Sequence, residues 1–149
     1  MTSQELTEAI KNGRKSFTGE DLRNQSFYEV DLVDADFSGA DLRGAFFRGS
    51  DLKGAFFNGA DLRGALFSDS ETCLAHFDGA DLRGALFRGS DLKEAFFNGA
   101  DLRGALFSDS ETCLVHFYGA DLRGARKYRC DFSSAFFDGA DLRGTEIGK

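Results

Sequence analysis

Two Cys-x-x-His pairs, Cys73-Leu74-Ala75-His76 and Cys113-Leu114-Val115-His116, hold the residue types in this chain best suited to chemistry. Thiolate and imidazole together suit zinc, which takes four ligands in a tetrahedral structural site. The pairs lie forty residues apart, so whether they share a metal depends on how the chain winds between them. Cys130 is the third cysteine, and an odd number builds no complete disulfide framework and suits a reducing compartment.

A repeat sets the elements that must position these residues. The phrase Ala-Asp-Leu-Arg-Gly begins at Ala40, Ala60, Ala80, Ala100, Ala120 and Ala140, with a degenerate copy at Glu20-Asp21-Leu22-Arg23-Asn24. Between copies a beat of five continues, each pentad centred on an apolar residue i such as Phe37, Leu42, Phe47 or Leu52. Position i−2 is Ala or Ser, i−1 is mostly Asp, i+1 is often Arg or Lys, and sixteen of the eighteen glycines stand at i+2. Five residues advance an α-helix by about 500°, so a helix cannot keep this beat on one face. In a continuous strand an odd period flips the side chain at every step. A chain that turns every five residues satisfies the pattern, with glycine supplying the positive φ of each corner. The spacing of twenty then closes four such sides into one coil.

This motif, Ala or Ser followed by Asp, Leu or Phe, a polar residue and Gly, resembles the pentapeptide-repeat proteins over roughly Lys15 to Ile147. The resemblance implies an all-β fold, a right-handed quadrilateral β-helix. About seven coils at ~4.8 Å make a rod ~34 Å long. Residues 1–14 are expected to form a capping helix, because Thr2 and Glu5 make a capping box ahead of Leu6, Ala9 and Ile10. Residues 15–149 then form a single β-helical domain.

The winding decides the zinc question. Forty residues are two coils, ~9.6 Å, whereas ligands of one metal lie within ~4 Å of each other and bridged cysteine Cα atoms within ~7 Å. No metal, cofactor or disulfide is expected. Thr72 and Thr112 fall on inward positions, where their hydroxyls need partners; Ser50, Ser70, Ser90 and Ser110 stack nearby and could supply them. No nucleophile, base and orienting group come together, and the glycines form no phosphate loop. The chain is not expected to be an enzyme.

Binding candidates lie where the beat fails on the outside. The third face carries Phe46, Leu66, Leu86 and Leu106 at i−1, and the first carries Phe56, Phe96 and Phe136 there, alternating with His76 and His116. Apolar residues in place of Asp suit self-association or a protein partner. The fourth face is acidic, with Asp31, Asp34, Asp51, Glu71, Asp91, Glu94, Glu111 and Asp131 against Lys53 and Lys93. On the second face, Asp41, Asp61 and their equivalents accompany Arg43, Arg63 and theirs, which reads as a self-neutralising ladder. The break Arg126-Lys127-Tyr128-Arg129-Cys130 puts Lys127 at an inward position. Lys127 should snorkel to the open end or deform the turn, and deformation could swing Tyr128 inward. Residues 48–85 recur at 88–125 with only Gly54→Glu94, Ala75→Val115 and Asp78→Tyr118 changed, a duplication beyond what the fold needs.

A net charge of −7 and a pI near 4.8 disfavour direct binding of nucleic acid or anionic membrane. The first residues lack a signal-peptide pattern, and no apolar run reaches the ~18 residues of a membrane span. A cytoplasmic protein is expected. The residues suit a non-catalytic scaffold binding another protein, or a homodimer formed through an apolar stripe or the C-terminal end. The family resemblance implies an alternative, a DNA mimic that inhibits or protects DNA gyrase in the manner of quinolone-resistance proteins.

Overall fold

The computed structural model describes residues 1–148. Helix α1 (Ser3–Lys11) precedes six short strands: β1 (Ser26–Tyr28), β2 (Phe46–Arg48), β3 (Leu66–Ser68), β4 (Leu86–Arg88), β5 (Leu106–Ser108) and β6 (Arg126–Tyr128). They stack in chain order as one parallel sheet, Phe27 beside Phe47, then Phe67, Phe87, Phe107 and Lys127. This sheet is the third face of a four-sided parallel β-helix. The other faces pair through single bridges, such as Phe56 with His76, Asp61 with Asp81 and Asp51 with Glu71. Six strands bound five complete windings, fewer than the seven coils expected, because the part-coil before Ser26 and the last stretch after Tyr128, although Ile147 is buried, add no further strand to the sheet.

The corners follow the beat even where glycine is missing. Every i+2 residue from Gly19 to Gly144 except Ser134 has positive φ. Gly64 takes it at 67°, whereas Leu74 and Leu114 hold it at 59° and 57°, in a region that costs an L-residue ~1–2 kcal/mol. Coil closure therefore dictates the corner, and glycine only removes the strain.

Inside, two columns of phenylalanine interlock. Phe77 stacks on Phe57 and Phe97 at 4.9 and 4.7 Å and meets Phe67 and Phe87 edge-on at 5.5 and 5.8 Å. Both arrangements suit the ring quadrupole. The hydroxyls of Thr72 and Thr112 donate to the carbonyls of Asp91 and Asp131, at 2.9 and 2.6 Å. Ser50, Ser70, Ser90 and Ser110 donate to the carbonyls of Phe27, Phe47, Phe67 and Phe87. The expected serine–threonine partnership is not formed, since each hydroxyl reaches a main-chain carbonyl on the adjacent coil. At the N-terminal end the Thr2–Glu5 capping box starts α1, which buries Leu6 against the first coil.

The second face solves the problem of stacking aspartates in register. Arg83 grips Asp81 with two bonds, Nε to Oδ1 at 2.8 Å and Nη2 to Oδ2 at 2.6 Å, while its Nε lies 3.7 Å from Asp101 on the next coil. The same geometry recurs from Arg23 to Arg123, so charges alternate along the rod. Each Asp also accepts from the main-chain N–H of its Arg, as at Asp81. The guanidinium bonds hold Asp61, Asp81 and Asp101 below the usual carboxylate range, and Asp141 at about 2.

Phe77→Ala should lower the unfolding free energy by about 3–5 kcal/mol in denaturant titration, the usual effect of deleting a buried ring. Carboxylates held low when folded, but near ~3.9 when unfolded, stabilise the fold above that value and lose the contribution as pH falls through the folded value. Unfolding midpoints should therefore stay level near neutrality and decline below about pH 4. Replacing Arg63, Arg83 and Arg103 with Gln should flatten that acid limb.

Candidate functional site

On the first face, the outward residues form a continuous external stack. Phe56, His76, Phe96, His116 and Phe136 follow one another with ring centroids 4.7–4.8 Å apart and interplanar angles of 6–18°. The first four rings are half-buried by their neighbours, and Phe136, at the end, is exposed. Tyr118 widens that end, its ring 5.9 Å from Phe136.

On the third face, the strands present two parallel rows. The i−1 row runs Phe46, Leu66, Leu86, Leu106 and then Arg126; Phe46 is exposed and the leucines are half-buried. The i+1 row runs Tyr28, Arg48, Ser68, Arg88, Ser108, Tyr128, with a tyrosine more than half exposed at each end. Between the rows lies a shallow groove lined by Tyr28, Phe46, Arg48, Leu66, Ser68, Asp69 and Arg88. The Arg48 guanidinium lies 5.9 Å from the centre of the Tyr28 ring.

The fourth face stacks Asp31, Asp51, Glu71, Asp91 and Glu111 in register. Lys15 approaches Asp31 at 3.3 Å, and Lys93 lies between Asp91 and Glu111 at 3.6 and 3.3 Å. Asp51 and Glu71 have no ion pair among the described residues. Asp34 and Glu94 occupy left-handed corners, each at φ 58°. Asp131 stands beyond the last bridge of this face, beside Lys127 and Phe132 in a small cavity at the C-terminal end.

The C-terminal break is milder than the sequence implies. β6 keeps full register with β5, and Tyr128 points outward, 56% exposed, so the inward swing that a deformed turn could bring does not occur. Lys127 is half-buried beside the open end and its neighbour Asp131, so the turn need not deform to hold it. Arg126 is exposed, while Arg129 pairs with Asp109 at 2.9 Å and covers the Tyr128 ring at 4.7 Å. The half-buried Phe137 and Leu142 end the inward columns here without a capping helix among the described residues.

Cys73, Cys113 and Cys130 are free thiols. Burial pushes the Cys73 and Cys130 thiols up, away from the thiolate a metal would need. Among the described residues no group of three or more His, Cys, Asp or Glu is placed to hold a metal ion. No helix among them is long and apolar enough to cross a membrane. Sequence reasoning missed two exposed features. Tyr28 is a large aromatic residue at an outward i+1 position, and Leu74 and Leu114 are apolar at corners meant for glycine. The signal in both was a bulky residue in a slot that elsewhere holds a polar or absent side chain.

Comparison with known proteins places this architecture. A model of pentapeptide repeats matches in eight copies, over residues 16–44, 31–69, 74–109 and 115–146. A comparison with curated protein sequences finds no match. Among solved structures, a pentapeptide repeat protein (Rfr23) from the cyanobacterium Cyanothece 51142 is 19% identical, covers 99% of this chain and 97% of its own, and has a TM-score of 0.52. The pentapeptide repeat protein alr5209 from Nostoc Pcc 7120 is 34% identical over 72% of this chain and 80% of its own, with a TM-score of 0.42. QnrB1, a plasmid-mediated fluoroquinolone resistance protein, is 26% identical over 89% of this chain and 79% of its own, with a TM-score of 0.44. With a repeat model matched along most of its length and a four-sided parallel coil beneath it, the chain belongs to the pentapeptide-repeat family.

Proposed function

We propose that this chain is a non-catalytic scaffold that binds another protein through its outward apolar rows. One observation carries the reading: at i−1, where the repeat otherwise places Asp, the first and third faces carry unbroken rows of rings and leucines. Aligned apolar groups at the surface suit a partner that covers them. On this reading Phe46, Leu66, Leu86 and Leu106 form one contact surface, and Phe56, Phe96 and Phe136 form another. The end around Arg126, Lys127, Tyr128 and Arg129, with the half-buried Leu142, is the place where a second copy could stack. Free thiols fit a reducing, cytoplasmic setting.

A second reading rests on the fourth face, where Asp51 and Glu71 make no ion pair among the described residues and Asp131 stands beside Lys127. Stacked carboxylates on a rod could present gyrase with a charge pattern like that of DNA. The arginine ladder of the second face weakens this reading, because it neutralises the largest set of aspartates.

Affinity capture should separate the apolar rows from the rest of the surface. Partners retained by the intact chain should be lost from F56D/F96D or L66D/L86D and kept by a fourth-face variant such as D51N/E71Q. Retention by all three variants would contradict the proposal. In light scattering, a dimer that F56D/F96D converts to monomer would assign the first-face row to self-association. Purified gyrase tests the second reading: neither inhibition of supercoiling nor relief from a quinolone would remove it.

A further inference from the structure

Arginine is distributed unevenly with respect to its partners. Arg14, Arg23, Arg43, Arg63, Arg83, Arg103, Arg123, Arg129 and Arg143 all pair with a carboxylate. The remaining three, Arg48, Arg88 and Arg126, have no ion pair among the described residues, and all three lie on the third face. In a chain of net charge −7 with twenty-five acidic residues, unpaired guanidinium groups gathered on one face need an explanation. Arg48 and Arg88 flank the apolar row and line the groove described above, together with one carboxylate, Asp69, and Arg126 ends the row.

From this geometry we infer that the third face takes an amphipathic α-helix bearing carboxylates along one flank. The inference rests on the reading of this face as a docking surface and adds the chemistry of the partner. Arg48 and Arg88 are two coils apart, ~9.6 Å along the rod. Residues seven apart on a helix lie ~10.5 Å apart on nearly the same face, so two glutamates at that spacing reach both arginines. Leucines at i, i+3, i+4 and i+7 recur about every 5.4 Å, close to the ~4.8 Å rungs of Phe46, Leu66, Leu86 and Leu106. A bound strand fits less well, because its same-face side chains fall ~6.6 Å apart and match neither spacing. The tyrosines bound the face: Tyr28 and Tyr128 stand five rungs apart, ~24 Å, the length of about sixteen helical residues. A second copy of this chain fits poorly. With the two rods antiparallel, its acidic fourth face would set Lys53 and Lys93 towards the arginines; with them parallel, it would set those lysines against the apolar row.

Fluorescence anisotropy tests the inference with designed probes. One labelled peptide of about sixteen residues carries leucines at helical spacing and glutamates seven apart on one flank. A second replaces those glutamates with lysine, and a third scrambles the first so that no helical stripe remains. The Glu peptide should bind at least ~10-fold more tightly than either control and weaken as salt is raised. R48E/R88E, which alters only exposed side chains, should reverse the preference towards the Lys peptide. Absence of binding, equal binding of the Glu and Lys peptides, equal binding of the scrambled peptide, or indifference to R48E/R88E would each overturn the inference. If L66D/L86D abolishes binding while R48E/R88E does not, the acidic partner is excluded and the apolar docking face stands. Affinity capture judges the scaffold reading separately, so the two can fail independently.

Discussion

Each residue of the coil sits one rung, ~4.8 Å, above its equivalent twenty positions earlier, and the rest of the structure depends on this constraint. Like must stack on like. For phenylalanine that is favourable, and the buried columns exploit it with parallel contacts of 4.5–5.4 Å. For aspartate it is unfavourable, and the second face offsets it by placing an arginine between successive carboxylates. For leucine and phenylalanine on the outside it creates rows that no isolated surface residue could form. The same geometry thus stabilises the interior, forces a neutralising ladder and produces the apolar faces.

The fold was almost fully legible in the sequence because the period fixes it. The inward identity of Phe77, the corner at Gly64 and the pairing of Asp81 with Arg83 all follow from position within five and within twenty. What was not legible depended on local competition. The hydroxyls of Thr72 and Thr112 chose carbonyls over serines, since the main chain of the adjacent coil is nearer. Tyr128 stayed outward because pairing with β5 holds β6 in register, and a half-buried Lys127 at the open end does not break it. The exposed rings and arginines could be located but not weighed, because the pairing state of Arg48 or Arg88 depends on neighbours across coils and faces.

The most repeated words are also the least informative about binding. Asp and Arg on the second face engage each other and leave little charge for a partner. The departures carry the distinguishing chemistry: the Phe56 to Phe136 stack, the row from Phe46 to Leu106, and three arginines without a carboxylate. An acidic protein can in this way keep one face suited to an acidic partner. Its overall charge is set by the other faces.

Inward columns hold the coil, and the outward rows are left for recognition. Thermal unfolding of two variants, matched in number of substitutions, tests it most directly. In one, outward Phe46, Leu66, Leu86 and Leu106 become Asn; in the other, inward Phe47, Phe67, Phe87 and Phe107 do. The first should keep a β-type circular dichroism spectrum and a cooperative transition, while the second should lose both. Equal loss in the two variants would contradict it, since the outward rows would then be part of what holds the coil together.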